Sequence, residues 1–306
     1  MEKTKNPFSI REFIIAISIG IVLLILGNIF DFNISSSIYD PINTSYFGII
    51  MSGICELPVC FCLSFGGSLL IIGRDKQNKN NQIFAWIIGI LAMIVAAYFT
   101  FDTFLDIYKF NSTSDYKTLI IILGIVLALL FNSLVVFLSF KLLNKYEDKK
   151  TLFIFGFYLI VFVALIALIA TTSKYLWSRP RPRYIFNEEN PNKLFSPVYV
   201  LNPFNAIKNG DNFKSFPSGH TTYASSLMFA LPLIGYLFNK NQDKKTNILL
   251  FYIGLIWALL SALSRIVAGA HFLSDVSFGL IITSSSSLLI NKIMFRKWFK
   301  TIQYSF

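Results

Sequence analysis

Five stretches of this chain, 12–30, 83–101, 118–140, 153–173 and 276–291, run almost free of charged residues. A helix rises about 1.5 Å per residue, so roughly 20 such residues cross the hydrocarbon core of a bilayer. Buried helices of a soluble protein would show a polar face at a 3.6-residue period, and these runs show none. With 14% charged residues and a mean hydropathy of +0.61, the chain has too little polar surface to cover such segments in water. The expected fold is all-α, a polytopic transmembrane helical bundle forming a single integral membrane domain over 1–306.

Eight spans are expected, at 12–30, 52–73, 83–101, 118–140, 153–173, 221–238, 248–264 and 276–292. Glu56 and Pro58 interrupt the start of the second, and the seventh is short. The first follows Lys3, Lys5 and Arg11 as in a signal peptide. It is long, however, ends in Asn28-Ile29-Phe30-Asp31 and lacks a small-residue cleavage site, which predicts an uncleaved first helix. Cys55, Cys60 and Cys62 share one apolar stretch at spacings that fit neither zinc nor a redox pair, and read as small packing residues.

Alternating eight spans from a cytoplasmic amino terminus places 17 of the 27 Lys and Arg residues in the cytoplasmic segments, including Lys3, Lys5, Lys240 and Lys300. The loop 31–51 has none, which is the positive-inside pattern and predicts both termini in the cytoplasm. Lys174, Arg179, Arg181, Arg183, Lys193, Lys208, Lys214 and Arg265 break it. They read either as anchors snorkelling at helix ends or as a site for something anionic.

The only two histidines, His220 and His271, fall at expected outer ends of spans beside these cations. Lys174 and Arg181 are seven residues apart, which is one helical face if the helix continues. Pro180 and Pro182 argue against a clean continuation, so the spacing places both cations near one helix mouth. Phe216-Pro217-Ser218-Gly219-His220 opens the sixth span with Ser218 as a candidate N-cap. Such a start is either a plain cap or a seat for phosphate, with Gly219 admitting close backbone approach. His271 and Asp275 stand at i,i+4, where on a helix the carboxylate reaches one imidazole nitrogen and leaves the other free to attack. That pair is equally consistent with a structural contact or half a metal site, although the outer side offers no further histidine or cysteine as a ligand.

Together these segments resemble the type 2 phosphatidic acid phosphatase superfamily, which also includes the vanadium haloperoxidases and glucose-6-phosphatase. Its pattern KxxxxxxRP, PSGH and SRxxxxxHxxxD is matched by Lys174, Arg181 and Pro182, by Pro217, Ser218, Gly219 and His220, and by Ser264, Arg265, His271 and Asp275. The resemblance covers a motif-bearing half over 153–292 and leaves additional N-terminal spans over 12–140. It implies that His271 attacks phosphorus, oriented by Asp275. It implies that His220 protonates the leaving oxygen, and that Lys174, Arg181, Ser218, Gly219 and Arg265 hold the phosphoryl oxygens. It also implies chemistry without a metal or other cofactor. Members of the superfamily have a six-helix core, with two spans before the helix that carries the first motif. Four are counted here, so either the second to fourth runs include a non-spanning hairpin or two helices are additional.

The expected function is therefore hydrolysis of a lipid-linked phosphate at the outer face, in a bacterial plasma membrane as guessed from a composition rich in Asn, Lys and Ile. Candidate substrates are phosphatidic acid, phosphatidylglycerol phosphate and a polyprenyl diphosphate; the expected partners are this lipid and the bilayer, with no nucleic acid. Lys193, Lys208 and Lys214 suit a diphosphate or an ordinary charged loop equally. The alternatives are a phosphotransferase using another acceptor, an anion transporter and a lipid-binding scaffold. No expected span carries a charge at its centre, which argues against transport.

Overall fold

The computed structural model describes residues 7–40, 45–110, 117–238 and 244–298. Lys3, Lys5, Lys240 and Lys300, four of the residues assigned to the cytoplasmic side, lie outside these, as do both chain ends. The chain is 82% helical, with no strand among the described residues.

Eight helical stretches are long and apolar enough to cross a membrane. They are built from α1 (Ile10–Ile38), α2 (Tyr46–Ile54) with α3 (Leu57–Gly73), α4 (Lys79–Phe110), α5 (Lys117–Leu143) and α6 (Lys149–Trp177), followed by α10 (Gly219–Ala224) with α11 (Leu227–Phe238), α12 (Lys244–Val267) and α13 (Leu273–Trp298). Between α6 and α10 the loop carries three short α-helices, α7 (Pro182–Ile185), α8 (Pro191–Leu194) and α9 (Asn205–Asn209), and a 3-10 turn over Gly210–Phe213. Local chemistry sets several boundaries. Ser9 and Glu12 form a capping box at α1, and Asp148 accepts from the Thr151 amide at α6.

Two differences from the expected spans matter for the site. The second begins at Tyr46 rather than 52 and breaks at Cys55 and Glu56 before Pro58 restarts the helix, so a carboxylate stands at the break. The seventh is not short, since α12 runs to Val267 and carries Arg265 in its last turn.

Because lipid is as apolar as a leucine side chain, helices in a membrane associate by close packing and polar contacts more than by the hydrophobic effect. Both are present. α3 packs against α4 and α6, α1 against α13, and α11 against α12. At the α3–α6 crossing a Cβ on Gly156 would lie 2.6 Å from the Gly66 carbonyl oxygen and 2.7 Å from the Leu70 amide nitrogen, so only glycine permits this approach. α4 and α5 contact α2 and α3 and leave most of their apolar surface to lipid. A buried polar hook holds them. Ser64 of α3 donates to Asn132 Oδ1 (2.5 Å) on α5, while Asn132 Nδ2 donates to Thr100 Oγ1 (3.0 Å) on α4. The second to fourth runs are each long and apolar enough to cross a membrane. The core at the opposite flank is aromatic, with Phe13 stacked on Phe229 at 5.2 Å and Phe162 edge-on to it. Cys55, Cys60 and Cys62 are buried and unbridged.

Gly156→Leu forces backbone against backbone and is expected to cost at least about 1–3 kcal/mol. A lowered apparent unfolding midpoint in detergent checks this, and an unchanged midpoint would contradict the crossing.

Candidate active site

One end of the bundle gathers the end of α6, the start of α10, the end of α12 and the start of α13. α6 stops at Trp177 because Ser178 turns into the left-handed region (φ 39°, ψ 46°) and Pro180 and Pro182 follow. Lys174 therefore sits in the last helical turn while Arg181 lies on extended backbone, its amide donating to Asn212 O at 2.8 Å. The two cations meet at a helix mouth rather than along one helix face.

Ser218 is the N-cap of α10, its Oγ accepting from the Thr221 amide at 3.3 Å. Its own amide donates to the Asp275 carbonyl at 3.1 Å, which ties the second motif segment to the third. At Gly219 a Cβ would lie 2.9 Å from Lys174 Nζ, so the missing side chain leaves the space in which the ammonium stands. The turn after α12 closes on the Arg265 carbonyl, which accepts from the amides of Ala270 and His271. Gly269 has φ +60° there, with the Tyr39 ring against its Cα, so a side chain would meet both strain and a collision.

This turn delivers His271, which is 1% exposed. Its Nδ1 lies 2.6 Å from the Ser215 carbonyl oxygen. A carbonyl can only accept, so Nδ1 carries the proton and Nε2 carries the lone pair. Nε2 lies 3.3 Å from Arg181 Nη1. Burial, together with the charges of Arg181, His220 and Lys174, holds the imidazole pKa well below the ordinary histidine value. His271 is thus a neutral base facing a guanidinium.

The expected direct bond between Asp275 and His271 is not formed. α13 begins only at Leu273, so His271 precedes the helix and the i,i+4 geometry does not apply; Nδ1 and Asp275 Oδ2 are 3.9 Å apart. Asp275 instead occupies the third helical position and reaches back to the Phe272 amide at 2.8 Å, half of a capping box. The same Oδ2 accepts from Ser215 Oγ at 2.5 Å. Ser215 stands between them, hydroxyl on the carboxylate and carbonyl on the imidazole.

Arg181 also donates through Nε to the Asp211 carbonyl (2.9 Å) and pairs through Nη2 with the Asp211 carboxylate (3.0 Å). Partial burial alone would raise the Asp211 pKa. Arg181, with Arg183 and Lys174, reverses this and holds it below the usual carboxylate value. Arg265 is buried, donating from Nη2 to the Gly48 carbonyl of α2 and from Nε to Ser264 Oγ. His220 turns Nδ1 toward Glu56 Oε1, 3.6 Å away.

A buried network lies behind these groups. Arg179 has no exposure; it pairs through Nη1 with Asp275 Oδ1 (2.6 Å) and through Nη2 with Asp31 Oδ2 (3.0 Å). Its Nε donates to Ser196 O, and the Phe272 ring covers its guanidinium at 4.2 Å. Asp31 also accepts from the Ser274 amide and hydroxyl. Arg179 stood out in the sequence only as one of eight misplaced cations. Ser215, Asp31, Glu56 and Asp211 carried no pattern that assigned them to the site.

Residues 153–299 match the family model of the PAP2 superfamily. This segment belongs to that family. It runs from within α6 through α13, and contains every one of the motif residues placed above. No curated protein and no solved structure gives a significant match to the chain. Membership carries a coarse statement of function, since PAP2 proteins are usually phosphatases. Asp31 and Glu56, by contrast, contact the PAP2 segment from outside it.

Removing one partner from a buried ion pair strands the other charge, at about 3–5 kcal/mol. Asp31→Leu is expected to lose stability on that scale in denaturant titration of the detergent-solubilised protein. A loss below about 1 kcal/mol would mean that Asp275 alone suffices for Arg179.

Proposed function

We propose that the protein is a metal-independent lipid phosphatase working through a phosphohistidine at residue 271, at the outer face of a bacterial plasma membrane. The observation that carries this reading is the state of His271. Its Nδ1 proton is committed to a backbone carbonyl, and its Nε2 lone pair points to a guanidinium suited to a phosphoryl oxygen.

Phosphoryl transfer needs positioning and charge neutralisation more than covalent help, and Lys174, Arg181 and Arg265 carry the cations for it. Nε2 of His271 attacks phosphorus as the P–O bond to the lipid breaks. His220 gives a proton to the departing oxygen, releasing the lipid alcohol or, from a diphosphate, the lipid monophosphate. Neutral His220 then takes a proton from water as its oxygen attacks phosphorus. The P–N bond breaks, inorganic phosphate leaves and His271 returns to its starting form. Ser215 and Asp275 keep the Nδ1 side of His271 polarised throughout. A site beside apolar helices admits a headgroup while its tail stays in lipid. This favours phosphatidic acid, phosphatidylglycerol phosphate or a polyprenyl diphosphate. The outer-face assignment rests on the Lys and Arg distribution.

Two outcomes test the reading. Phosphate release from this lipid panel should persist in excess chelator and fall at least about 10³-fold in His271→Ala, because nucleophile and base act as a unit; activity retained by that variant would remove His271 from the role. The depressed pKa has a definite sign: His271 stays neutral as pH falls through 6.5 and protonates only below it. Labelling of the protein by a phosphoryl donor should therefore lose its amplitude below pH 6.5, and a midpoint at or above 6.5 would contradict the neutral-nucleophile geometry.

A further inference from the structure

Among the described residues, Glu56 reaches in from outside the PAP2 segment to stand at ion-pair distance from a catalytic histidine of the proposed mechanism. We infer that it is a positioning residue for His220, holding Nδ1 so that Nε2 delivers the proton to the leaving oxygen. The inference deepens the phosphatase reading and rests on it.

Glu56 lies in the break between α2 and α3, where the chain turns for two residues before Pro58 restarts the helix. The break places a carboxylate, 12% exposed, 3.6 Å from an imidazole that is 20% exposed. Thr103 of α4 donates to its second oxygen, Oε2, at 3.5 Å, which orients the group from the other side.

The charges around the pair explain why an acid is needed. From α6, Lys174 reaches the start of α10, and Arg181 and His271 lie across the site. Tyr223 follows His220 on α10. His220 must become an imidazolium among these cations if it is to act as an acid. A carboxylate at its Nδ1 offsets that charge, fixes the ring and directs the other nitrogen at the substrate. Asp275 holds the nucleophile's side through Ser215, so each histidine then has its own carboxylate. The spans that precede the PAP2 segment would supply the second one.

The test uses leaving groups. An alkoxide needs a proton to depart, whereas 4-nitrophenolate does not. kcat/KM covers only the steps through P–O cleavage, so it isolates this proton transfer from hydrolysis of the phosphohistidine. The full-length protein in detergent would be assayed with phosphatidic acid and with 4-nitrophenyl phosphate, as wild type, Glu56→Gln, His220→Asn and the double variant. Glu56→Gln should lower kcat/KM for phosphatidic acid about 10–100-fold and for the nitrophenyl ester less than about 3-fold. The double variant should be no worse than His220→Asn. The ratio of the two substrates on one preparation is independent of the amount of folded protein. An equal loss on both substrates, or additive losses in the double variant, would reduce Glu56 to a structural contact and leave the phosphatase reading standing. A wild type that releases phosphate from neither ester, nor from phosphatidylglycerol phosphate or a polyprenyl diphosphate, would overturn both.

Discussion

Arg179 is sealed from solvent and answered by two carboxylates, and the geometry of the site depends on that arrangement. An isolated buried cation is too costly to keep; one that is paired, fully hydrogen-bonded and covered by an aromatic ring is tolerable. Its worth lies less in net stability, since buried pairs often do no better than apolar substitutes, than in what it fixes. Asp31 brings α1, Asp275 brings the first turn of α13, and the Ser196 carbonyl brings the long loop. Once Asp275 is held, its other oxygen orders Ser215 and the Phe272 amide, and Ser215 in turn sets the imidazole of His271.

A hierarchy of charge follows from this arrangement. The innermost cation is neutralised by the protein itself. Arg181 is partly neutralised, by a carboxylate on the loop surface, and Lys174 stands in the space left by the missing side chain of Gly219. Positive charge is thus left at the mouth and cancelled behind it. An anionic group is drawn to the mouth, where the imidazole lone pair faces it.

The spans and the three motif segments were legible because each announces itself locally. An apolar run of about 20 residues has one stable home, and His220, His271 and their neighbouring cations sit at short, regular spacings. The pairings between distant residues were not legible. Asp31 and Arg179 are 148 positions apart, and Asp31 reads in sequence only as the polar end of the first run. Glu56 reads as an interruption of a span rather than as the partner of a histidine 164 residues later. The direct Asp275–His271 bond failed for a different reason. The spacing fits a helix, but the helix starts two residues after the histidine, and Ser215 fills the gap.

The central claim is that His271 carries the phosphoryl group. Rapid quench of the protein with a phosphatidic acid or polyprenyl diphosphate substrate, under neutral to alkaline conditions that preserve phosphohistidine, followed by peptide mass spectrometry, tests it most directly. A phosphoryl group on the peptide containing His271, formed and lost within turnover, is the expected result. Phosphate release with the label on His220, on another residue or on none would contradict the account.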